Sequence, residues 1–438
     1  MSAKEGVNVK VEEQLELLLR GTQFADEIDD RAGIAVPLVA AGEGEGGRTL
    51  RQQMTEELRQ RLKEGRPLRV YLGADPTSTS LHIGHFVSVQ KLRVFQELGH
   101  QVIFLMGDYT ATIGDPTGQV SERRRLTHAE VMELSIDYQR QVFRLLDPAK
   151  TEVRFNGEWL AKLNFAQIAE LAAIFPLKWV VSRRDFADRL ARGESLRLHE
   201  TLYCLMQGYD AYALDCDVQV GGYDQYLNML AGRWIQDHFG QKPHICWTFP
   251  LLMGTDGRKM SKSFGNSINI QDSPEDMYGK TMRVADEMLS SYIDLATNFT
   301  PAQSDALKAR LRAPGANPME VKKEIAANLV TQYYGEDGSR AAGEHFVRVV
   351  QEKAAPDEIP EVKAPVALRS GKTWPDLLVA LTFEGEPLAA SKGEARRLMA
   401  QGGFYVEQSA VTDGAVVVEI VPGTTIRLGK RRYFRLVF

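Results

Sequence analysis

Two imidazoles and two ammonium groups form the most reactive-looking sets in the chain. His82 and His85 fall three residues apart in Leu81-His-Ile-Gly-His85, and Lys259 and Lys262 fall three apart in Arg258-Lys-Met-Ser-Lys-Ser263. Histidines at that spacing on a helix project to roughly the same side. There they can hydrogen-bond a charge that develops only during phosphoryl or nucleotidyl transfer. Two lysines in a loop bounded by Gly254 and Gly265 can close over a polyphosphate and neutralise it, although an isolated pair at this spacing is more often a solvated basic loop. A third set, Tyr203, Gln207 and Asp210, is spaced four and three and shares one helix face. A solvated polar stripe fits that spacing as well as a site does. Apolar Leu202, Leu205 and Met206 beside it favour burial, and buried polar groups need partners.

These side chains need a frame. Leu68–Leu72 is an apolar strand that breaks into the Gly-, Pro-, Ser- and Thr-rich turn Gly73–Ser80 and re-forms as a helix near Gly84. A helix N-terminus fed by a strand favours an anionic phosphate, because free backbone N–H groups and the helix dipole point at it. Phe86, Val89, Leu92, Phe95 and Leu98 give a helix over about 84–98, Gly99 a C-cap, and Gln101–Met106 a second strand. Strand, helix and strand in so short a stretch make a βαβ unit and hence a parallel sheet, whose ligands bind at the carboxyl ends of strands. The stretch Gly107–Gly118 leaves the second strand, Gly221–Gln225 follows another, and Ile245–Leu252 leads into the lysine loop. Residues 127–214 read mainly as helices.

The chain has 438 residues, 44% hydrophobic and 25% charged, which suits a soluble protein of several domains. No run of about 18 apolar residues suggests a membrane span, and the start lacks a signal-peptide core, so the expectation is a cytoplasmic protein without a membrane partner. Cys204, Cys216 and Cys246 show no metal or disulfide spacing and read as buried reduced thiols, so no protein-held metal is expected. The net charge is −5, yet from Ser391 onward eight Lys or Arg stand against four Asp or Glu. A basic module on an acidic body suits a specific RNA contact.

The organisation read from these signals starts with a helical extension, 1–49, carrying a flexible Gly- and Ala-rich insertion at 34–48. A Rossmann-like α/β parallel-sheet catalytic domain follows at 50–271. An α-helical domain at 272–350 has helix starts at Ser273-Pro274, Thr300-Pro301 and Asn317-Pro318. A Pro-bearing linker, 351–370, leads to a small α+β RNA-binding domain, 371–438. That module begins to read as compact from Thr373 and carries a helix at Ser391–Met399, given a capping box by Ser391 and Glu394. It continues in strands Phe404–Glu407, Ala415–Ile420 and Thr425–Leu428, and ends in the cation- and aromatic-rich Gly429–Arg435. Lys392, Arg396, Arg397, Lys430, Arg431 and Arg432 are its candidate RNA-binding residues.

His82-Ile-Gly-His85 and Lys259-Met-Ser-Lys-Ser263, in this order and each at a strand end, resemble the two motifs of class I aminoacyl-tRNA synthetases. The Tyr71–Thr77 stretch, Ile113-Gly-Asp-Pro-Thr-Gly118, Leu202-Tyr-Cys-Leu-Met-Gln-Gly-Tyr-Asp210 and Gly221-Gly-Tyr-Asp-Gln225 are similar to the bacterial tyrosyl-tRNA synthetases. The terminal module resembles the S-four RNA-binding domain that those enzymes carry. The resemblance covers residues 50–438 and implies a homodimer that activates L-tyrosine with ATP and Mg2+ and charges tRNA(Tyr). It gives His82, His85, Lys259 and Lys262 catalytic roles. Tyr71 and Asp210 would take the phenol, and Asp115, Tyr203 and Gln207 the ammonium, with Thr110 and Gln225 nearby. Gly73, Asp75, His82, Gly84, His85, Gly222, Asp224, Leu252, Lys259 and Lys262 would take ATP. Two positions depart from the pattern: Gln119 where a lysine is usual, with Arg123–Arg125 as possible substitutes, and Tyr223 where a small hydroxyl residue is usual. The alternatives are a tryptophanyl-tRNA synthetase, a non-catalytic RNA-binding paralogue, and a small-metabolite adenylyltransferase.

Overall fold

Five short runs pair into one parallel sheet in the computed structural model, which describes residues 3–24, 27, 49–77, 80–115, 126–351, 359–365, 368–407, 409–429 and 432–437. The 34–48 insertion, Gln119 with Arg123–Arg125, and Lys430 and Arg431 lie outside the described residues. The strands are β1 (Arg69–Ala74), β2 (Gln101–Met106), β3 (Thr151–Phe155), β4 (Val218–Gly222) and β5 (Ile245–Phe249). Their order is β3-β2-β1-β4-β5, and every pairing is parallel. β5 is buried along its length, as is β2 beyond Gln101, so each reads as an unbroken apolar run rather than an alternation. The order reverses direction at β1. Such a switch opens a crevice at the carboxyl ends of the two central strands, here β1 and β4.

β1 feeds the helix Ile83–Glu97, and Gly99 at φ +87° turns the chain back into β2. β3 lies inside the 127–214 stretch read as helical. Its five residues are all half-buried, so it carries neither an apolar run nor an alternation by which to be recognised. The helices Tyr203–Ala213 and Tyr226–His238 pack backbone to backbone. A Cβ on Gly208 would sit 2.9 Å from the Gly232 nitrogen. This close crossing presents the Tyr203–Gln207–Asp210 face to the crevice.

The chain divides into two compact units, Met1–Ala342 and Gly343–Phe438. The helices Pro274–Thr281, Leu289–Leu295 and Pro301–Arg312 cluster with the sheet in the first unit. A long helix, Pro318–Phe346, is broken at Gly335, where φ is +74°. The N-terminal helix Ala3–Leu19 belongs to the first unit's core, with Val11, Leu15 and Leu18 buried. Phe24, fully buried, meets Trp247 edge-on at 5.5 Å. The Trp247 indole N–H donates to the Leu18 carbonyl at 3.1 Å. Arg20 pairs with Asp294 at 3.4 Å, and the Lys91 ammonium donates to the Asp294 carbonyl at 3.0 Å.

The second unit builds a five-stranded sheet from Ser409–Ala410, Phe404–Val406, Thr425–Leu428, Arg432–Val437 and Glu361–Lys363, in that order. Its core is Trp374, Leu377, Leu378, Phe404, Ile426, Phe434 and Leu436. The Glu361–Lys363 strand falls within the stretch read as linker, and runs parallel to Arg432–Val437. The basic end is thus a strand in which Arg432 and Arg435 are exposed and Tyr433, Phe434 and Leu436 are buried. Of Ala415–Ile420 only Val417–Val418 forms a strand, and it pairs with Lys372–Thr373 outside the main sheet. Ser391 does cap its helix by accepting from the Glu394 N–H at 3.2 Å, but the Glu394 carboxylate turns to the Ala390 N–H, so the reciprocal box is not closed.

Candidate active site

A cavity of about 850 Å3 opens at the carboxyl ends of β1 and β4. Eleven of the sequence-derived candidates line it: Tyr71, Gly73, Asp75, His85, Thr110, Asp115, Tyr203, Gln207, Asp210, Gly222 and Gln225. Its deep end is a chain of hydrogen bonds. The Tyr203 hydroxyl donates to Asp75 at 2.8 Å, and the Thr110 hydroxyl donates to the other Asp75 oxygen at 2.7 Å. The Asn156 amide N–H2 donates to the Thr110 hydroxyl at 3.0 Å and to Asp210 at 3.2 Å. The indole N–H of Trp159 donates to the second Asp210 oxygen at 2.7 Å. Asn156 cannot be flipped, because its oxygen accepts the Tyr109 backbone N–H at 3.0 Å. Sequence reasoning missed both Asn156 and Trp159. They follow β3, the strand it also missed, and the Asn-Gly-Glu-Trp run carries no spacing signal of its own.

Burial dominates the electrostatics of this end. Asp210 is pushed up to about 8, burial outweighing the Trp159 and Asn156 hydrogen bonds. Asp75 is pushed up to about 7 by burial, against the Thr110 and Tyr203 bonds that favour its charge. The Tyr71 phenol is fully buried, and its hydroxyl has no hydrogen-bond partner among the described residues. Burial raises its pKa, with the charges of Cys216 and Asp210 adding to the effect. Gly107 makes room for this network. A Cβ there would lie 1.9 Å from an Asp75 oxygen and 2.4 Å from the Thr110 hydroxyl.

Asp115 stands at the next position along the cavity. The Gln225 amide donates to it at 2.8 Å, and the Arg183 guanidinium lies 3.7 Å from its other oxygen. The Asn228 amide donates to the Gln225 oxygen at 3.0 Å, and Arg183 is also paired with Asp185 at 2.8 Å. Arg183 and Asn228 went unread in the sequence. Asp224 folds back on its own turn, so a Cβ on Gly222 would be 2.3 Å from its carboxylate. Burial, with Asp115 nearby, raises the Asp224 pKa. Tyr223 is half-buried at the start of the short turn Tyr223–Gln225, which accommodates it without a left-handed backbone.

His82, Gly84, Asp224, Leu252, Lys259 and Lys262 are not part of that cavity's wall, but His82 and Gly84 adjoin His85, which is, and both lysines lie near enough to His82 to act on its charge. The His82 and His85 rings stack at 3.7 Å, and the His85 Nδ1 accepts the His82 backbone N–H at 3.3 Å. Burial pulls His82 down to about 3, helped by His85 and the two lysines. His85 shifts the same way, through burial and Lys259. Both imidazoles are neutral at neutral pH and can donate a hydrogen bond without adding charge. A Cβ on Gly84 would meet the His82 ring at 3.0 Å and the Leu252 carbonyl at 3.5 Å, so this helix start fits closely against the end of β5. Lys259 and Lys262 are exposed. In the second unit Lys392, Arg396, Arg397 and Arg432 are exposed, with Lys392 paired to Asp376 at 2.6 Å. Arg427 lies 3.7 Å above the Tyr405 ring on the same sheet.

Residues 63–351 match the family described as tRNA synthetases class I (W and Y). A tyrosine–tRNA ligase of Carboxydothermus hydrogenoformans is 42% identical over 389 residues, covering 88% of this chain and 94% of its own. One from Thermotoga maritima is 42% identical over 382 residues, covering 87% of this chain and 93% of its own. Among solved structures, the tyrosyl-tRNA synthetase of Archaeoglobus fulgidus complexed with L-tyrosine superposes with a TM-score of 0.56 at 22% identity. It covers 76% of this chain and 99% of that one, a likeness of fold.

Proposed function

This chain belongs to the class I tRNA synthetases of the tryptophan and tyrosine type, and within them we infer that it is a tyrosine–tRNA ligase. It activates L-tyrosine with ATP to tyrosyl-adenylate and pyrophosphate, then transfers the tyrosyl group to the terminal adenosine of tRNA(Tyr). The observation that carries the choice of amino acid is the Tyr71 hydroxyl, buried without a partner near a buried Asp210. A bound phenol would satisfy both, donating to one and accepting from the other. An indole has no oxygen to accept from the Tyr71 hydroxyl and would leave that buried group unpaired.

The chemistry needs no protein nucleophile. The tyrosine carboxylate attacks the α-phosphorus in line and pyrophosphate departs. A terminal ribose hydroxyl of the tRNA then attacks the acyl carbon, and AMP departs. The chain's residues position reactants and stabilise charge. In our reading Asp115, Tyr203 and Gln207, with Thr110 and Gln225 beside them, orient the ammonium. Gly73, Asp75, Gly84, Gly222, Asp224 and the Leu252 backbone receive ATP. His82 and His85, neutral donors, meet the charge that builds on the phosphates, and Lys259 and Lys262 take the pyrophosphate. Mg2+ would come with ATP, carried largely by the phosphates and water rather than by a protein cage, and would supply positive charge against the triphosphate. Asp75 and Asp224 suit that arrangement, since burial disfavours the ionised form a hard cation would need.

The same reading takes the second unit as the tRNA-binding module, with Lys392, Arg396, Arg397, Lys430, Arg431 and Arg432 on phosphates. It takes 272–350 as the anticodon-side helical domain and the protein as a cytoplasmic homodimer. Phe165, Leu177 and Leu198, at 86, 63 and 77% exposure, leave apolar side chains available to such a dimer. Tyrosine-dependent exchange of labelled pyrophosphate into ATP tests the function. Exchange with tyrosine alone is expected; exchange with tryptophan instead, or none from folded protein, would overturn it.

A further inference from the structure

The lysine loop is tied to a side chain that lies just beyond it. Asn266 is 3% exposed, and its carboxamide uses both ends. Its oxygen accepts the Ser261 backbone N–H at 2.8 Å. Its nitrogen donates to an Asp256 carboxylate oxygen at 2.7 Å and to the Lys259 carbonyl at 3.1 Å. The Asn266 carbonyl accepts the Thr255 N–H at 3.0 Å, so the backbone joins the same knot. Gly254 leaves the space for it, because a Cβ there would be 2.3 Å from the carboxamide nitrogen. Gly265, at φ +64°, turns the chain so that Asn266 points back under the loop. Three separate points of one loop are thus held by one planar group with two donors and one acceptor.

What is fixed is backbone. Lys259 and Ser261 flank Met260, which is buried at 4% and anchors the middle of the loop, while the Lys259 and Lys262 side chains stand in solvent. Both lysine charges are felt at His82, across the gap from the loop. We propose that Asn266 is the positioning residue of this loop: its carboxamide sets the backbone from which Lys259 and Lys262 reach the departing pyrophosphate. The proposal deepens the synthetase reading and rests on it. A loop held in advance loses less conformational freedom when it closes, so the gain falls on the transition state rather than on tyrosine binding.

The test compares the full-length wild type with Asn266→Ala, Asp256→Ala and the double variant Asp256→Asn with Asn266→Asp. Pyrophosphate exchange, the equilibrium affinity for tyrosine, and the rate of tryptic cleavage at Arg258, Lys259 and Lys262 are read for each. Asn266→Ala should lower kcat for exchange about 10- to 100-fold, as loss of a buried, partly charge-assisted tie would, with tyrosine affinity unchanged. Cleavage in the loop should speed up in parallel. Asp256→Ala cuts only one arm and should give a smaller loss of the same kind, which keeps the idea testable if Asn266→Ala does not fold. The double variant reverses the donor and acceptor of the side-chain pair and should recover part of the activity lost in Asn266→Ala. Wild-type kcat in both single variants, or an equal loss of tyrosine affinity, would overturn the positioning role. A wild type with no exchange at all would instead overturn the function on which it rests.

Discussion

A hydroxyl buried with no partner costs stability wherever no ligand completes it. Tyr71 is such a group. Tyr71→Phe should therefore leave the melting temperature of the ligand-free protein equal or higher. It should also lower kcat/KM for tyrosine by about 10- to 100-fold, the equivalent of about 1–3 kcal/mol for one buried hydrogen bond. A falling melting temperature would mean the hydroxyl is already satisfied. The carboxylates beside it give a pH signature. Asp210 and Asp75 titrate in the folded state near about 8 and about 7, against 3.8 in the unfolded chain. Between those limits the folded state holds more protons than the unfolded one, so stability falls as pH rises. The ligand-free protein should lose thermal stability steadily from about pH 4 to 8, and Asp210→Asn should flatten the upper part of that slope. A slope identical in wild type and variant would show that Asp210 ionises normally.

The elements that hold these groups differ in how plainly they were written. The strands β1, β2 and β5 came from apolar runs, and the helix Ile83–Glu97 from apolar residues at helical spacing and the Gly99 stop. The His82/His85 and Lys259/Lys262 pairs stood out by spacing, but their roles came from the family resemblance. β3 did not, because an edge strand half-buried along its length has no period to read. With it went Asn156 and Trp159, the two donors that hold Asp210. Asn266 escaped for another reason: its partners are five, seven and ten residues back, and only a folded loop joins them. The terminal strand Arg432–Val437 was masked by its arginines: exposed Arg432 and Arg435 stand three apart and break the two-residue alternation that would mark Phe434 and Leu436 as core. Gly107 shows what an element can demand of a single residue. Gly107→Ala would drive a methyl into Asp75, so tyrosine KM should rise about tenfold or more through lost packing and strain. A KM within error of wild type would show that the Asp75 turn yields.

At the scale of the whole molecule, the sheet unit contains every residue assigned to activation, and the second unit has its own sheet and core. Removing residues 359–438 should leave pyrophosphate exchange intact. Charging of tRNA should fall about tenfold or more in kcat/KM as phosphate contacts are lost. The cut belongs before Glu361, because a cut at 371 would strip an edge strand from the sheet. Undiminished charging by the truncated protein would remove the second unit from RNA binding.

The docking of the N-terminal helix sets an order of assembly. Leu18 waits for the Trp247 indole, 229 residues further on, and Arg20 for Asp294, 274 residues further on. During synthesis this helix can pack on Leu50–Lys63 soon after that helix is made, but the Leu18 carbonyl and Arg20 have no native partner until the last sheet strand and the helix at Asp294 follow. Contacts of such span close slowly, and apolar surface left uncovered meanwhile is open to wrong partners. The seam between the two ends of this unit, Leu18 and Phe24 on Trp247 and Arg20 on Asp294, is therefore the last part of it to close.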